Sequence, residues 1–183
     1  MTTLVQYKAS VNSVYGGTGA GANFALDSAA TTGNAICATV MMDPGVSVTS
    51  VTDSNGGALT LNKTAETNQQ ANENIYFYSI QSVSGTPTGI NVKTATDTTI
   101  SVWMEEVSGM ASASIVDVNP TKATGGYNTT PTMSLTTTTD SVYTRALMSY
   151  GGGRTITPGA GYTANNTASV SKHGVFNVNV GTA

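Results

Sequence analysis

The chain has 183 residues, only 9% of them Asp, Glu, Lys or Arg, and a formal net charge of -3. An ordinary globular protein carries about a quarter charged residues, so here Thr, Ser, Asn and Gly must solvate the surface instead. The seven Lys and Arg are scattered singly, which excludes the clustered basic face that neutralises phosphates, and no apolar run approaches the ~20 residues of a spanning helix.

Neither nucleic acid nor a membrane is therefore an expected partner. The hydrophobic fraction of 39% is enough for a core at this length, where folding buries roughly 70% of the unfolded surface. The length suits a single domain over residues 1–183. One cysteine leaves no disulfide framework within the chain. That residue, Cys37, sits in the apolar run Ala35–Met42 and reads as a small buried side chain.

Along the chain, period-two alternation recurs and the helical period is nearly absent. The pattern predicts strands at Leu4–Ser10, Ala22–Ser28, Ala35–Asp43, Val46–Thr52, Ala58–Lys63, Asn74–Ser82, Gly89–Lys93 and Thr98–Val107. It continues through Ser114–Val118, Thr132–Thr137, Ser141–Tyr150, Thr155–Tyr162 and Gly174–Val180, with Val118–Thr132 as a long connection. Val, Ile, Thr, Tyr and Phe dominate these runs, as strand propensity requires. Turn signals such as Asp43-Pro-Gly45, Asn55-Gly-Gly57 and Ser84-Gly85 separate them. Many short strands at near-regular spacing predict an all-β fold, a two-sheet antiparallel β-sandwich.

Alternation also assigns faces. Ile75, Phe77 and Ser79 share one face of their strand, opposite Tyr76, Tyr78 and Ile80. Ile100, Val102 and Met104 lie opposite Ser101, Trp103 and Glu105. Apolar character on both faces predicts central positions for these two strands.

Few residues offer chemistry. Asp53-Ser-Asn-Gly56 has the opening spacing of a calcium loop, but the twelfth position, Thr64, cannot supply the closing carboxylate; a hairpin turn with positive φ from Asn-Gly is the expected reading. Glu105 and Glu106 point to opposite strand faces and cannot form a paired acid–base site. The inward one needs a partner, for which Arg145 is the candidate. Trp103, Tyr76, Tyr78 and Tyr143 are the candidate ligand-contact aromatics, able to stack on a sugar, although core packing is the simpler role. His173 precedes the last strand with no carboxylate near it in sequence. The Gly16–Gly21 run lacks the lysine and helix of a phosphate loop. No catalytic residue, cofactor or metal is expected.

Three segments together resemble a broad group of bacterial and bacteriophage β-sandwich domains. Val46–Leu61, after the strand Gly33–Val40, resembles that group's strand–turn–strand, departing from it at Gly57-Ala58. Ile100–Gly109 resembles a core strand of the group, with Val107 where an aromatic is usual, and Thr157–Thr163 a segment preceding its last strands. The resemblance implies a jelly-roll-like sandwich with no catalytic residues to carry over.

The first residues, Met1–Lys8, lack the basic stretch and apolar core of a secretory signal. An uncharged surface with no export signal leads to the expectation of a non-enzymatic bacteriophage virion protein, a capsid decoration or a head or tail fibre component. Its partners would be other virion proteins and copies of itself, by analogy as a homotrimer. The alternative is a secreted carbohydrate-binding or adhesive module of a bacterial surface, with a glycan as ligand.

Overall fold

The computed structural model describes residues 3–14, 17, 19–43, 45–68, 73–110, 162–164, 169–170, 173–174 and 178–180. Eight strands occupy the larger part: β1 (Thr3–Val14), β2 (Gly21–Ala25), β3 (Ala35–Met42), β4 (Val48–Asp53), β5 (Thr60–Asn68), β6 (Glu73–Ile80), β7 (Gly89–Thr94) and β8 (Thr98–Ser108). Four short strands follow: β9 (Tyr162–Ala164), β10 (Ser169–Val170), β11 (His173–Gly174) and β12 (Val178–Val180). β9 pairs with β12, β10 pairs with β11, and β10 lies against β1.

Each of the first eight predicted strands coincides with an observed one, with ends displaced; β1 runs on to Val14 and β5 to Asn68. The predicted strands Ser114–Val118, Thr132–Thr137 and Ser141–Tyr150, and the connection between residues 118 and 132, lie outside the described residues. So does Thr155–Tyr162 up to its last residue.

The eight strands form two antiparallel sheets, in the orders β1-β8-β3-β6-β5 and β2-β7-β4. The pairing is nested: β1 with β8, β2 with β7, and β3 with β6. β4 meets the residues leading into β5 at one bridge, Thr52 to Ala58, before β5 crosses to the edge of the larger sheet beside β6. Register shifts between Leu61 and Glu66 mark that crossing, since a bulge bends its strand. A long hairpin folded over itself in this way is the jelly-roll-like arrangement, with β5 placed on the larger sheet.

The main core fills the space between the sheets. Ala22 and Phe24 of β2, Val51 of β4, and Ile90 and Val92 of β7 meet Ile36, Ala38, Val40 and Met42 of β3. Tyr78 of β6 and Ile100, Val102 and Met104 of β8 complete the larger sheet's contribution. Full burial of each such aliphatic side chain contributes about 1.5–3 kcal/mol. On the opposite face of the small sheet stand Asn23, Asn91 and Thr52, in register across β2, β7 and β4. The Asn91 Nδ2 donates to Asn23 Oδ1 at 2.9 Å, so uncharged polar groups form this row, with the exposed Lys93 of β7 on the same face.

The second face of β3 and β8 is buried as well. Ala35, Cys37, Thr39 and Met41, with Ser101, Trp103, Glu105 and Val107, all lie at or below 6% exposure. Met41 and Trp103 form a separate apolar cluster there, with Ala9 of β1 and Ile75 of β6 packed against it. β6 and β8, the two strands whose two-sided apolar character predicts central positions, are both internal to the sheet, as is β3.

Candidate functional site

Of the candidate aromatics, the three among the described residues do not share one face. Trp103 lies 1% exposed on the second face, in register between Thr39 of β3 and Ala9 of β1. Its indole Nε1 is buried without a hydrogen-bond partner among the described residues. Tyr76 and Tyr78 occupy the opposite face, with ring centroids 6.4 Å apart and a 32° tilt. The Tyr76 hydroxyl donates to the Val46 carbonyl at 3.3 Å. Burial raises the Tyr76 phenol above its usual range, offset in part by a hydrogen bond with Asn74. Burial, with Tyr76 beside it, pushes Tyr78 up to about 12. Both phenols therefore stay neutral at physiological pH and pack as core and rim. Tyr143 lies outside the described residues.

The adjacent carboxylates are both buried, on opposite faces of β8: Glu105 is fully inaccessible and Glu106 is 1% exposed. Sequence reasoning expected one inward carboxylate, with Arg145 as its partner. Among the described residues, neutral donors hold Glu106. Oε2 accepts from Gln6 Nε2 at 2.6 Å, while Oε1 accepts from the Thr31 backbone N–H at 2.8 Å and from Asn34 Nδ2 at 2.6 Å. Burial alone would raise the Glu106 pKa, but the Gln6, Thr31 and Asn34 hydrogen bonds outweigh it and leave the group below its ordinary value. The Gln6 amide also donates to the Ser28 carbonyl and accepts from the Ser28 N–H and hydroxyl. One carboxylate thus ties β1, β8 and the β2–β3 loop together. Arg145 lies outside the described residues.

The Asp53 loop is the hairpin turn expected of it. Asp53 Oδ1 accepts from the N–H groups of Asn55 and Gly57, each at 2.8 Å, and Gly56 takes φ of +92°. A Cβ on Gly57 would stand 2.6 Å from Asp53 Oδ2, so the close return of the chain requires glycine there. Among the described residues no group of His, Cys, Asp and Glu could hold a metal ion, and no helix is long and apolar enough to cross a membrane. The backbone of His173 pairs with Val170 in the β10–β11 ladder.

What the structure adds is the outer side of β1, which among the described strands is laddered to β8 alone. Val5, Tyr7 and Val11 are 50%, 40% and 38% exposed. Lys8 forms an ion pair with Asp27 of the β2–β3 loop. An open cleft of about 340 Å³ runs here, with Tyr7, Lys8, Ala9 and Asp27 lining it. The alternation Val5, Tyr7, Ala9, Val11 was visible in the sequence, but alternation alone does not distinguish an edge strand from a covered one. Comparison with protein-family models, with curated proteins and with solved structures finds no match to this chain.

Proposed function

We propose that the chain is a non-enzymatic structural component of a bacteriophage particle, a capsid-decoration or head or tail fibre subunit that works through contacts with neighbouring proteins and with copies of itself. The fold is consistent with a protein–protein or binding module, and jelly rolls recur in viral capsid and lectin domains. Fold does not fix function, so the weight falls on the surface. The outward row of Asn23, Asn91 and Thr52, in a chain with 9% charged residues, is the observation that carries the reading. Close packing between subunits then desolvates few ions, and each ion left in water avoids a penalty of several kcal/mol.

The test is to band particles from a lysed producing culture on a density gradient and quantify this chain by mass spectrometry, with immunogold labelling of the banded particles. The reading expects the chain in the particle band in fixed proportion to the shell or tail proteins. Recovery only from the cell envelope or the medium overturns it. Binding to a glycan array that is lost in Tyr7→Ala would then favour the secreted carbohydrate-binding module, with the exposed Tyr7 in the role expected of Trp103.

A further inference from the structure

Among the described residues, the large exposed hydrophobic side chains fall on the two edge strands of the five-stranded sheet: Val5, Tyr7 and Val11 on β1, and Leu61 on β5. An edge strand presents a row of N–H and C=O groups that can template another strand. Proteins commonly blunt such edges with lysines, prolines or bulges. In β1 those guards are weak. Its one bulge lies between Leu4 and Gln6, leaving Gln6–Val14 in unbroken register with β8. Its lysine, Lys8, is engaged by Asp27 of the same chain. Among the described strands, β1 is laddered to β8 alone, and β10 touches it without pairing.

We propose that β1 is a self-pairing edge, through which two copies of this chain join antiparallel across a two-fold axis and extend the five-stranded sheet from one copy to the other. The inference rests on reading the chain as an assembly component and names the surface that reading lacked. A second copy is the fitting occupant because the strand is complementary to itself, as a two-fold interface requires. With the axis at Ala9, Tyr7 of each copy faces Val11 of the other, and Ala9 meets its own counterpart at the crowded centre. Aromatic and β-branched residues make favourable cross-strand pairs. Lys8 then faces Ser10. Moving the axis to Lys8 sets two ammonium groups opposite each other, which is unfavourable. Moving it to Ser10 leaves Tyr7 against Ser13. Charge and shape therefore favour the axis at Ala9 over those at Lys8 and Ser10. The homotrimer expected by analogy would need a head-to-tail surface instead.

The register makes a covalent prediction. Directly opposed residues of an antiparallel pair stand about 4.5–5.5 Å apart at Cα, within the span a disulfide bridges. Ala9→Cys should therefore cross-link two copies under mild oxidation, while Val11→Cys, opposed by Tyr7, should not. The native Cys37 is buried at 4% exposure and does not compete.

The experiment is light scattering after size exclusion on the full chain over a concentration series, with these variants alongside. We expect a mass approaching twice the 18.6 kDa of one chain and a covalent dimer for Ala9→Cys. Tyr7→Lys should fall to the mass of one chain with an unchanged circular dichroism spectrum, whereas Thr49→Lys on the other sheet's edge keeps the doubled mass. A single-chain mass at every concentration overturns the proposal, as does an oligomer that Tyr7→Lys leaves intact or a Val11→Cys that cross-links as readily as Ala9→Cys. Particle fractionation is read separately: a chain that bands with particles but never self-pairs sinks the edge and leaves the particle role standing.

Discussion

Glu106 is a buried charge held, among the described residues, by neutral donors and no cation, and that arrangement makes its contribution depend on pH. Three N–H donors converge on its two oxygens, each hydrogen bond stronger for meeting an ionised acceptor. Because they hold the folded-state pKa below the ordinary value, the group adds stability that is fully present above its unfolded pKa. That stability is lost as pH falls through the folded pKa. In Glu106→Gln the new amide turns a donor toward a donor, at Gln6 or at Thr31 and Asn34. Gln6 cannot simply rotate, since its carbonyl accepts from Ser28. We expect Glu106→Gln to cost about 2 kcal/mol at neutral pH, measured by urea denaturation, with the deficit shrinking in acid as the native carboxylate protonates. A deficit equal at both pH values would show that lost shape, and not lost charge, weakens the variant.

At the scale of strands, the pairing of β2 with β7 depends on one residue lacking a side chain. Gly89 opens β7 opposite Ala25, and a Cβ there would overlap the Phe24 carbonyl oxygen and stand 2.9 Å from the Ala25 Cα. Those are backbone atoms, so relief requires β2 to move off the core that Ala22 and Phe24 help to fill. Gly89→Ala is expected to cost about 3 kcal/mol, at the upper end for overpacking. Gly21, at the other end of the same pair, is a matched control: its added Cβ would meet the Asn91 and Lys93 side chains at 3.0–3.2 Å. Those can give way, so Gly21→Ala should cost less than about 1 kcal/mol; equal midpoint shifts for the two variants would contradict the packing argument. Neither role was legible in the sequence, where Gly89 and Gly21 look alike at strand starts. The strands themselves were legible, because alternation in Ile100–Val107 and Ile75–Ile80 records which side chains share a face. The partners of Glu106 were not: Gln6, Thr31 and Asn34 are ordinary polar residues that only folding brings to one carboxylate. Tyr7 escaped for a related reason, since its exposure depends on β1 being an edge.

Over the whole molecule, nesting is the property the strand pattern could not reveal, because a strand's alternation says nothing about its partner. It has a consequence for folding. β1 must find β8, so that Thr3 pairs with Ser108 and Val14 with Thr98, and the loops between have to close before those contacts can form. Closure of long loops ahead of their contacts is what makes such β topologies slow, in the range of milliseconds to seconds. The chain carries its own reporter. Trp103 is the single tryptophan, 1% exposed and in register between β3 and β1, so its emission responds when the outermost pair closes over β3. If the eight strands fold as one unit, refolding from urea should bury the indole in the same phase that restores the far-ultraviolet dichroism, within that time range. Tryptophan burial in an earlier and faster phase would mean instead that β3, β8 and β1 assemble before the smaller sheet covers them. In that case Gly89→Ala, which loosens only β2 and β7, would leave the tryptophan phase unchanged while slowing the dichroism.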